Sequence, residues 1–373
     1  MPRAAPMRLG VRAALADGAL VEGDVEIQGE RIGRLAAGPP GAAGIAVPGF
    51  VDLQVNGFAG VDFLAADAEG YRRAGDALAA TGVTAFLPTF VSSPLEAYGP
   101  AIAAVAGLAD RVGRPRALGV HLEGPFLSPR WAGAHDPAQL REPEPELARR
   151  LCGAGPVRMM TLAPELPGAI EVIEALTASG VVASCGHSHA DAGAAHAAFD
   201  RGARAITHVH NAHRRWRPRD PGLAGVALAR PDVVVQAIVD GVHLAPETAY
   251  VAFLAARGRF CLVTDAMEAT GLGPGEYRLG TSRVRVADGT ARLEDGTLAA
   301  SLLTMDRAVR NLTEMGASLA DAVDAAARVP AALVGRPELG VLREGGTADV
   351  AVLDDELQVA RTIVGGVEAF ARG

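Results

Sequence analysis

The chain has 373 residues, 49% of them hydrophobic, so it is long enough to bury a large core or two domains. Its net charge of −8 argues against wholesale nucleic-acid binding, and no apolar run approaches the roughly 20 residues that cross a bilayer. The start MPRAAPMRLG is too short and proline-broken for a secretory signal, and the three cysteines lack a CxxC spacing. Together these features predict a cytoplasmic protein that binds neither nucleic acid nor membrane.

All 35 basic residues are arginine. The absence of lysine excludes Schiff-base chemistry, a P-loop lysine and a lysine-derived bridging metal ligand. Arginine still allows bidentate binding of phosphate.

Both ends of the chain alternate apolar and polar residues in the manner of strands. Residues 1–48 include ALVEGDVEIQGERIGRL, and residues 338–373 include GTADVAVLDDELQVARTIVGGV. Neither segment can bury much apolar surface alone, so we expect the two to combine into one small β-sandwich domain. Residues 49–337 then form a continuous second domain.

That second domain contains eight short apolar runs separated mostly by Ala-rich helical segments. The runs span residues 49–55, 84–90, 117–123, 157–163, 181–187, 203–209, 233–239 and 260–266. Eight βα repeats predict an α/β fold of the (β/α)8 TIM-like barrel type. An open doubly wound sheet is the alternative, but no glycine fingerprint follows an early strand, which argues against a dinucleotide site.

Potential metal ligands and proton-transfer groups end several of these runs, where parallel strands of a barrel converge on one mouth. Glu123 ends the run that also holds His121, two residues earlier and on the same side of the strand. Glu123 could merely cap the following loop, but a buried carboxylate is costly unless it is paired or bound to a metal.

Two His-x-His pairs lie at the ends of later runs: His187 with His189, and His208 with His210. A lone histidine is more often structural, but two such pairs at successive strand ends favour a metal site. We expect the first histidine of each pair to be a ligand and the second to lie in the surrounding shell or loop. One Glu and two His leave a coordination position open, as catalytic zinc requires.

Asp265 ends the eighth run. It could form a salt bridge or cap a helix, but next to a metal site it would act as a general base. The arginine-rich run 214–219 is a solvated loop or an anion-binding loop beside the active site. Asn211, Arg219 and His243 follow late strands, where barrel enzymes often hold phosphate.

With these residues assembled, the chain closely resembles the N-acetylglucosamine-6-phosphate deacetylases of the amidohydrolase superfamily. The matching segments run through nearly the whole length and are specific in their order and spacing. They are PGFVDLQVNG, HLEGPFLSP with GAHDP, CGHSHA, THVHNA, RDPGLAG, DGVHL, VTDAM and LAASLLTMDRAVRN. The resemblance implies a metal-dependent hydrolase that converts N-acetyl-D-glucosamine 6-phosphate to D-glucosamine 6-phosphate and acetate in amino-sugar metabolism.

The resemblance also implies residue roles. Glu123, His187 and His208 match the metal ligands, Asp265 matches the catalytic acid/base, and His135 matches the histidine that contacts the acetamido group and stabilises the oxyanion. The residues expected to contact the sugar phosphate are Asn211, Ala212, Arg219, His243, Leu298 and Ala299. Because the matching arginine of relatives reaches across a dimer interface, the resemblance implies a homodimer.

Departures from the family pattern qualify this expectation. Gln54-Val55-Asn56 stands where many superfamily members have His-x-His, which predicts one divalent metal per subunit: zinc first, with Fe, Co, Mn or Ni as alternatives. His213 replaces a usual Met, and LAAS replaces LAGS. Alternative functions are hydrolysis of another N-acetylated amino-sugar phosphate or a cyclic amide, deamination of a base, and a catalytically silent binding barrel.

Overall fold

The computed structural model describes residues 6–108 and 112–373. The two ends of the chain together build two sheets, and the larger of these contains strands from both ends. Numbered along the chain, these strands are β1 (Met7–Arg8), β2 (Ala13–Ala16), β3 (Ala19–Glu22), β4 (Asp24–Gln28), β5 (Arg31–Ala37) and β6 (Ile45–Pro48), with β21 (Val350–Leu353), β22 (Val359–Val364) and β23 (Val367–Ala371) from the other end. One sheet has the order β1-β4-β5, and the other has the order β23-β22-β21-β6-β2-β3.

The two sheets share one apolar core. Val25 and Ile32 of the smaller sheet belong to the same buried cluster as Ala14, Val350 and Ile363 of the larger sheet. Neither chain end could form this cluster alone, because each supplies only part of it. The predicted small β-sandwich is confirmed.

The sandwich leads directly into the second domain, because only Gly49 separates β6 from the next strand. A Cβ on Gly49 would lie 2.3 Å from the side chain of Thr84, so a larger residue here would clash with the neighbouring strand that carries Thr84. The domain boundaries at residues 48 and 338 stay predictions.

Eight parallel strands form the second domain, and they coincide with the eight predicted runs. They are β7 (Phe50–Val55), β10 (Val83–Val91), β12 (Val120–Glu123), β13 (Val157–Leu162), β14 (Val182–Cys185), β15 (Ala205–Ile206), β16 (Val234–Ala237) and β17 (Phe260–Leu262). Short strands β8 (Gly57–Phe58) and β9 (Val61–Asp62) form a hairpin, and β11 (Arg116–Ala117) pairs with β10.

The sheet closes on itself between its first and last strands. Val55 forms a parallel bridge with Ala266, and the backbone N–H of Asp265 donates to the carbonyl of Gln54 at 2.9 Å. This closure confirms the TIM-like barrel and rules out the open sheet. It also places the residues that follow β7 and β17 side by side.

Helices lie between the barrel strands. They are α1 (Ala68–Ala79), α2 (Leu95–Ala106), α3 (Pro145–Cys152), α4 (Ala169–Ala178), α5 (Ala192–Asp200), α6 (Gly222–Ala229) and α7 (Pro246–Ala255), followed by α8 (Met305–Glu314), α9 (Leu319–Ala326) and α10 (Arg328–Leu333). In α1, Asp67 caps the first turn, and Tyr71, Ala74 and Leu78 bury one face at helical spacing. No helix in the described part of the chain is long and apolar enough to cross a membrane.

An antiparallel sheet that the sequence patterns did not predict follows the last barrel strand. It consists of β18 (Gly275–Leu279), β19 (Ser282–Ala287) and β20 (Thr290–Arg292). Val284 and Ala291 of this sheet pack with Met267 and Ala299 in a separate apolar cluster. The sheet therefore covers one side of the barrel mouth and positions the segment around Leu298.

Candidate active site

The predicted ligands and the predicted base all lie at the carboxyl ends of barrel strands. Glu123 is the last residue of β12, His187 and His208 lie two residues past β14 and β15, and Asp265 lies three residues past β17. The last three have left-handed backbone, with φ of 48°, 29° and 51°. Such conformations cost free energy in residues with a side chain and often cluster at functional sites.

The side chains of Glu123, His187 and His208 converge on one point. Glu123 Oε1 lies 3.2 Å from His187 Nε2 and 3.0 Å from His208 Nε2, and the two nitrogens are 3.1 Å apart. A tetrahedral ion with bonds of about 2.0–2.1 Å separates its ligand atoms by roughly 3.4 Å. The three atoms therefore fit a common cation with little adjustment.

The protonation states suit a cation as well. His187 Nδ1 lies 2.9 Å from the carbonyl oxygen of Trp131, which can only accept, so Nδ1 carries the proton and Nε2 keeps its lone pair. Burial would raise the pKa of Glu123, but the contacts with His187 and His208 outweigh it and hold the pKa well below its usual range. The site thus combines a carboxylate with imidazole lone pairs.

His135 approaches the same carboxylate from the loop after β12. One ligand atom each of Glu123, His135 and His187 lie within 4.8 Å of one another, so by distance alone His135 could also be a ligand. However, His135 Nδ1 accepts the backbone N–H of Ser92 at 3.1 Å, and burial followed by the proximity of His187 lowers its pKa to about 3.

A neutral His135 with an accepting Nδ1 carries its proton on Nε2, the nitrogen that faces Glu123 Oε2 at 3.8 Å. That nitrogen can donate a hydrogen bond but has no lone pair for a metal. We therefore favour His208 over His135 as the third ligand, and assign His135 the part of a donor.

Two amides that the sequence reasoning treated only as poor ligands hold the predicted base. Gln54 Nε2 donates to Glu123 Oε1 at 3.0 Å and to Asp265 Oδ1 at 3.1 Å, and Asn56 Nδ2 donates to Asp265 Oδ1 at 2.7 Å. Gln54 thus tethers a ligand to the base. The signal in the sequence was the pair of amides at the end of β7, the strand next to β17.

Asp265 is nearly buried, and its pKa is raised to about 7 by burial and then by the nearby charge of Glu123. A carboxylate held by amides and desolvated in this way is a stronger base than one in water. Its position beside the convergent ligands is suited to removing a proton from a water molecule there.

A single cavity opens from these groups to the surface. Among the residues predicted to contact substrate, Asn211, Ala212, His243 and Leu298 line the cavity, together with Glu123, His135, His187, His208 and Asp265. His243 Nδ1 lies 2.8 Å from Asp240 Oδ2, which orients the ring. Ala299 is buried, and its backbone N–H donates to the carbonyl of Ala291. It therefore holds the segment around Leu298 in place, and its side chain does not line the cavity.

Arg219 lies on the exposed part of the arginine-rich loop and is not among the residues lining this cavity. Its neighbours Arg214, Arg215 and Arg217 line a second cavity with Arg130, Trp131 and His189. Arg214 is paired with Asp220 through Nε at 2.8 Å. The loop therefore carries positive charge beside the first cavity without reaching into it within one chain.

Three other histidines occupy different surroundings. His121 is fully buried below the site, with Nε2 2.8 Å from Thr161 Oγ1. His189 accepts from Trp131 Nε1 at 2.9 Å, and His210 stacks on Trp216. None of the three takes part in the convergent group of Glu123, His187 and His208.

Comparison with known proteins agrees with this geometry. The family model described as Amidohydrolase family matches residues 45–369. The N-acetylglucosamine-6-phosphate deacetylase of Bos taurus is 40% identical over 337 residues, covering 86% of this chain and 82% of that protein. The N-acetylgalactosamine-6-phosphate deacetylase of Escherichia coli O157:H7 is 35% identical and covers 86% of each chain.

Solved structures show the same relationship. A mutant of the Mycobacterium smegmatis N-acetyl-D-glucosamine-6-phosphate deacetylase, in complex with N-acetyl-D-glucosamine-6-phosphate, matches with a TM-score of 0.92 and 35% identity. The match covers 99% of this chain and 100% of that one. The chain described here belongs to the amidohydrolase family.

Proposed function

We propose that this protein hydrolyses the acetamide of N-acetyl-D-glucosamine 6-phosphate to D-glucosamine 6-phosphate and acetate. One observation carries the proposal: a cavity in which a carboxylate and two imidazoles converge, with a buried carboxylate base and a neutral histidine donor beside them. Relatives that cover most of the chain bear the name of this activity.

Glu123, His187 and His208 would hold one divalent metal, and two imidazoles with one carboxylate favour zinc over magnesium or calcium. When bound, the metal supplies Lewis-acid chemistry, polarising the acetamide carbonyl and making water more acidic. The remaining catalytic work falls to side chains of this chain.

Asp265 removes a proton from the attacking water as its oxygen bonds to the acetamide carbon. The carbonyl oxygen then carries negative charge, which His135 stabilises by donating from Nε2. Asp265 returns its proton to the nitrogen as the carbon–nitrogen bond breaks, because an amide anion is a very poor leaving group. Gln54 and Asn56 keep Asp265 in place through both transfers.

The sugar phosphate would be held by Asn211 and His243, by the backbone of Ala212, and by the segment of Leu298 and Ala299. Four of these five residues line the cavity. We propose that Arg219 completes the phosphate site of a partner subunit in a homodimer, since its exposed position agrees with a role outside its own cavity. Three free cysteines support the expected reducing, cytoplasmic location.

The decisive experiment measures acetate and free amine together after incubating zinc-loaded protein with N-acetylglucosamine 6-phosphate. We expect stoichiometric release of both, lost on chelation and restored by zinc. The 4-epimer, N-acetylgalactosamine 6-phosphate, is run in parallel, because one relative bears that substrate in its name. Release from the galactosamine compound alone would reassign the substrate, and release from neither would overturn the proposal.

A further inference from the structure

Two buried ring nitrogens near the proposed metal site have no hydrogen-bond partner among the described residues: Nδ1 of His208 and Nδ1 of His213. Both side chains are nearly inaccessible, with 4% and 2% of the residue surface exposed. A buried polar atom without a partner is destabilising, because it loses its hydrogen bonds to water and gains none in return. Two such atoms in neighbouring rings, with centroids 5.9 Å apart, call for a common explanation.

The protonation of His213 follows from its other nitrogen. Nε2 lies 3.0 Å from the backbone carbonyl of Thr207, which can only accept a hydrogen bond. Nε2 therefore carries the proton. With the proton on Nε2, the neutral ring has a free lone pair on Nδ1.

In His208 the proton lies on the other ring nitrogen, Nδ1. Its Nε2 faces Glu123 and His187 and must offer a lone pair to a cation held there. The proton of the neutral ring is then on Nδ1. His208 thus presents an unpaired donor and His213 an unpaired acceptor.

We propose that His213 is a positioning residue for the metal ligand His208, accepting a hydrogen bond from His208 Nδ1–H through one buried water, since the structure shows no direct bond between the two rings. His187 already has such a support, the carbonyl of Trp131. Among the described residues, the second nitrogen of the other proposed imidazole ligand, His208, has no such partner unless His213 provides it. This inference rests on the proposed metal site.

The backbone holds His213 firmly enough for this role. The N–H of Ser188 donates to the carbonyl of Ala212 at 3.1 Å, and the N–H of Arg214 donates to the carbonyl of Ser188 at 2.9 Å. These bonds form a parallel bridge between Ser188 and His213, so the loop after β15 is fixed to the loop that carries His187. The ring of His213 is therefore placed by the same contacts that place a ligand.

The test compares zinc affinity by competition with a chromophoric chelator. His213→Met keeps an apolar side chain of similar size but no acceptor, and should bind zinc about 10- to 100-fold more weakly. His213→Asn retains an oxygen near the position of Nδ1 and should recover most of the affinity. His196→Met, an exposed histidine on α5, is the matched control and should bind like the wild type.

A second measurement needs no variant at position 213. In zinc-loaded wild-type protein with 15N-labelled histidine, we expect His208 to be protonated on Nδ1 and His213 on Nε2, with the His208 proton protected from solvent exchange. Equal zinc affinity of His213→Met and wild type, or a His213 ring protonated on Nδ1, would overturn the inference. Failure of the wild type to bind zinc would instead remove the metal site, and the inference with it.

Discussion

Asp265 has the surroundings that the proposed proton transfers require. It is desolvated, which raises its pKa, yet two amide groups hold one carboxylate oxygen in a fixed position. Burial without those donors would raise the pKa but leave the carboxylate free to rotate. The donors without burial would fix the carboxylate but leave it a weak base. The combination supports both proton transfers of the proposed reaction.

Asp265→Asn should lower kcat by at least about 10³-fold, because an amide can neither accept the proton of water nor return one to the amine. Bound zinc should be unchanged, since Asp265 is not among the convergent ligands. Turnover and metal content, measured on the same sample, check this expectation. Asp200→Asn, a change of an exposed carboxylate on α5, serves as the control. Near-normal kcat in Asp265→Asn would contradict the assignment.

Arg219→Ala should lower kcat/KM for the phosphorylated sugar. The lost transition-state stabilisation should be about 2–4 kcal/mol if the guanidinium pairs with phosphate in a desolvated site. The same change should have little effect on unphosphorylated N-acetylglucosamine, because the contact it removes is absent there. Measuring both substrates separates a phosphate contact from a structural role. Equal losses on the two would argue against phosphate binding by Arg219.

At the scale of elements, β7 supplies more than a barrel strand. Its carboxyl end brings Gln54 and Asn56 to the residues that follow β17, and its interior places Asp52 against Thr264. Asp52 is fully inaccessible, and burial raises its pKa to about 7, although hydrogen bonds with Thr264 and Gln54 act in the opposite direction. This carboxyl lies at the junction that closes the barrel.

An acid whose pKa is higher in the folded than in the unfolded chain binds its proton more tightly when folded. Between pH 4 and 7 the folded protein keeps the proton of Asp52 while the unfolded chain loses it, so Asp52 makes the free energy of unfolding fall as pH rises. Asp52→Asn removes this dependence, because the amide imitates the protonated acid.

We expect the unfolding free energy of Asp52→Asn, relative to wild type, to rise by on the order of 2 kcal/mol between pH 5 and pH 8. Chemical denaturation of both proteins at the two pH values provides the measurement. Asp355→Asn, an exposed carboxylate of the sandwich, should show no such change. A constant difference across this pH range would mean that Asp52 is ionised in the folded protein throughout.

At the scale of the whole molecule, a metal bound by the proposed ligands would join three strands into one stabilised unit. Removing zinc should lower the melting temperature, because a ligand that binds only the folded state at about 1,000 times its Kd adds about 4 kcal/mol. Zinc should restore the melting temperature of chelator-treated protein, whereas magnesium should not, since imidazole ligands suit zinc. Identical melting curves with and without zinc would count against the site.

If Arg219 serves a neighbouring subunit, activity becomes a property of the dimer. Mixing Asp265→Asn chains with Arg219→Ala chains should create hybrid dimers in which one site has both an intact base and an intact arginine from its partner. Activity should then exceed that of either variant alone, approaching one quarter of wild type for random equal mixing. Activity no greater than the average of the two parents would place Arg219 in its own subunit's site.

Local patterns were sufficient for much of this organisation. The eight apolar runs became the eight barrel strands, and the chain ends formed the sandwich, because both depend on periodicity and on the need to bury one face. The sheet β18–β20 was missed, since its strands are short and partly exposed. Its burial pattern became apparent only from its packing against the barrel mouth.

The sequence by itself determined which residue types end the strands and therefore that Glu123, His187, His208 and Asp265 could meet. Tertiary structure decided what each can do. The choice of His135 as a donor, the tether from Gln54 to Asp265 and the unpartnered nitrogens of His208 and His213 depend on which atom meets which partner. Gln54 and Asp265 are 211 residues apart, and only the closure of the barrel brings them within hydrogen-bonding distance.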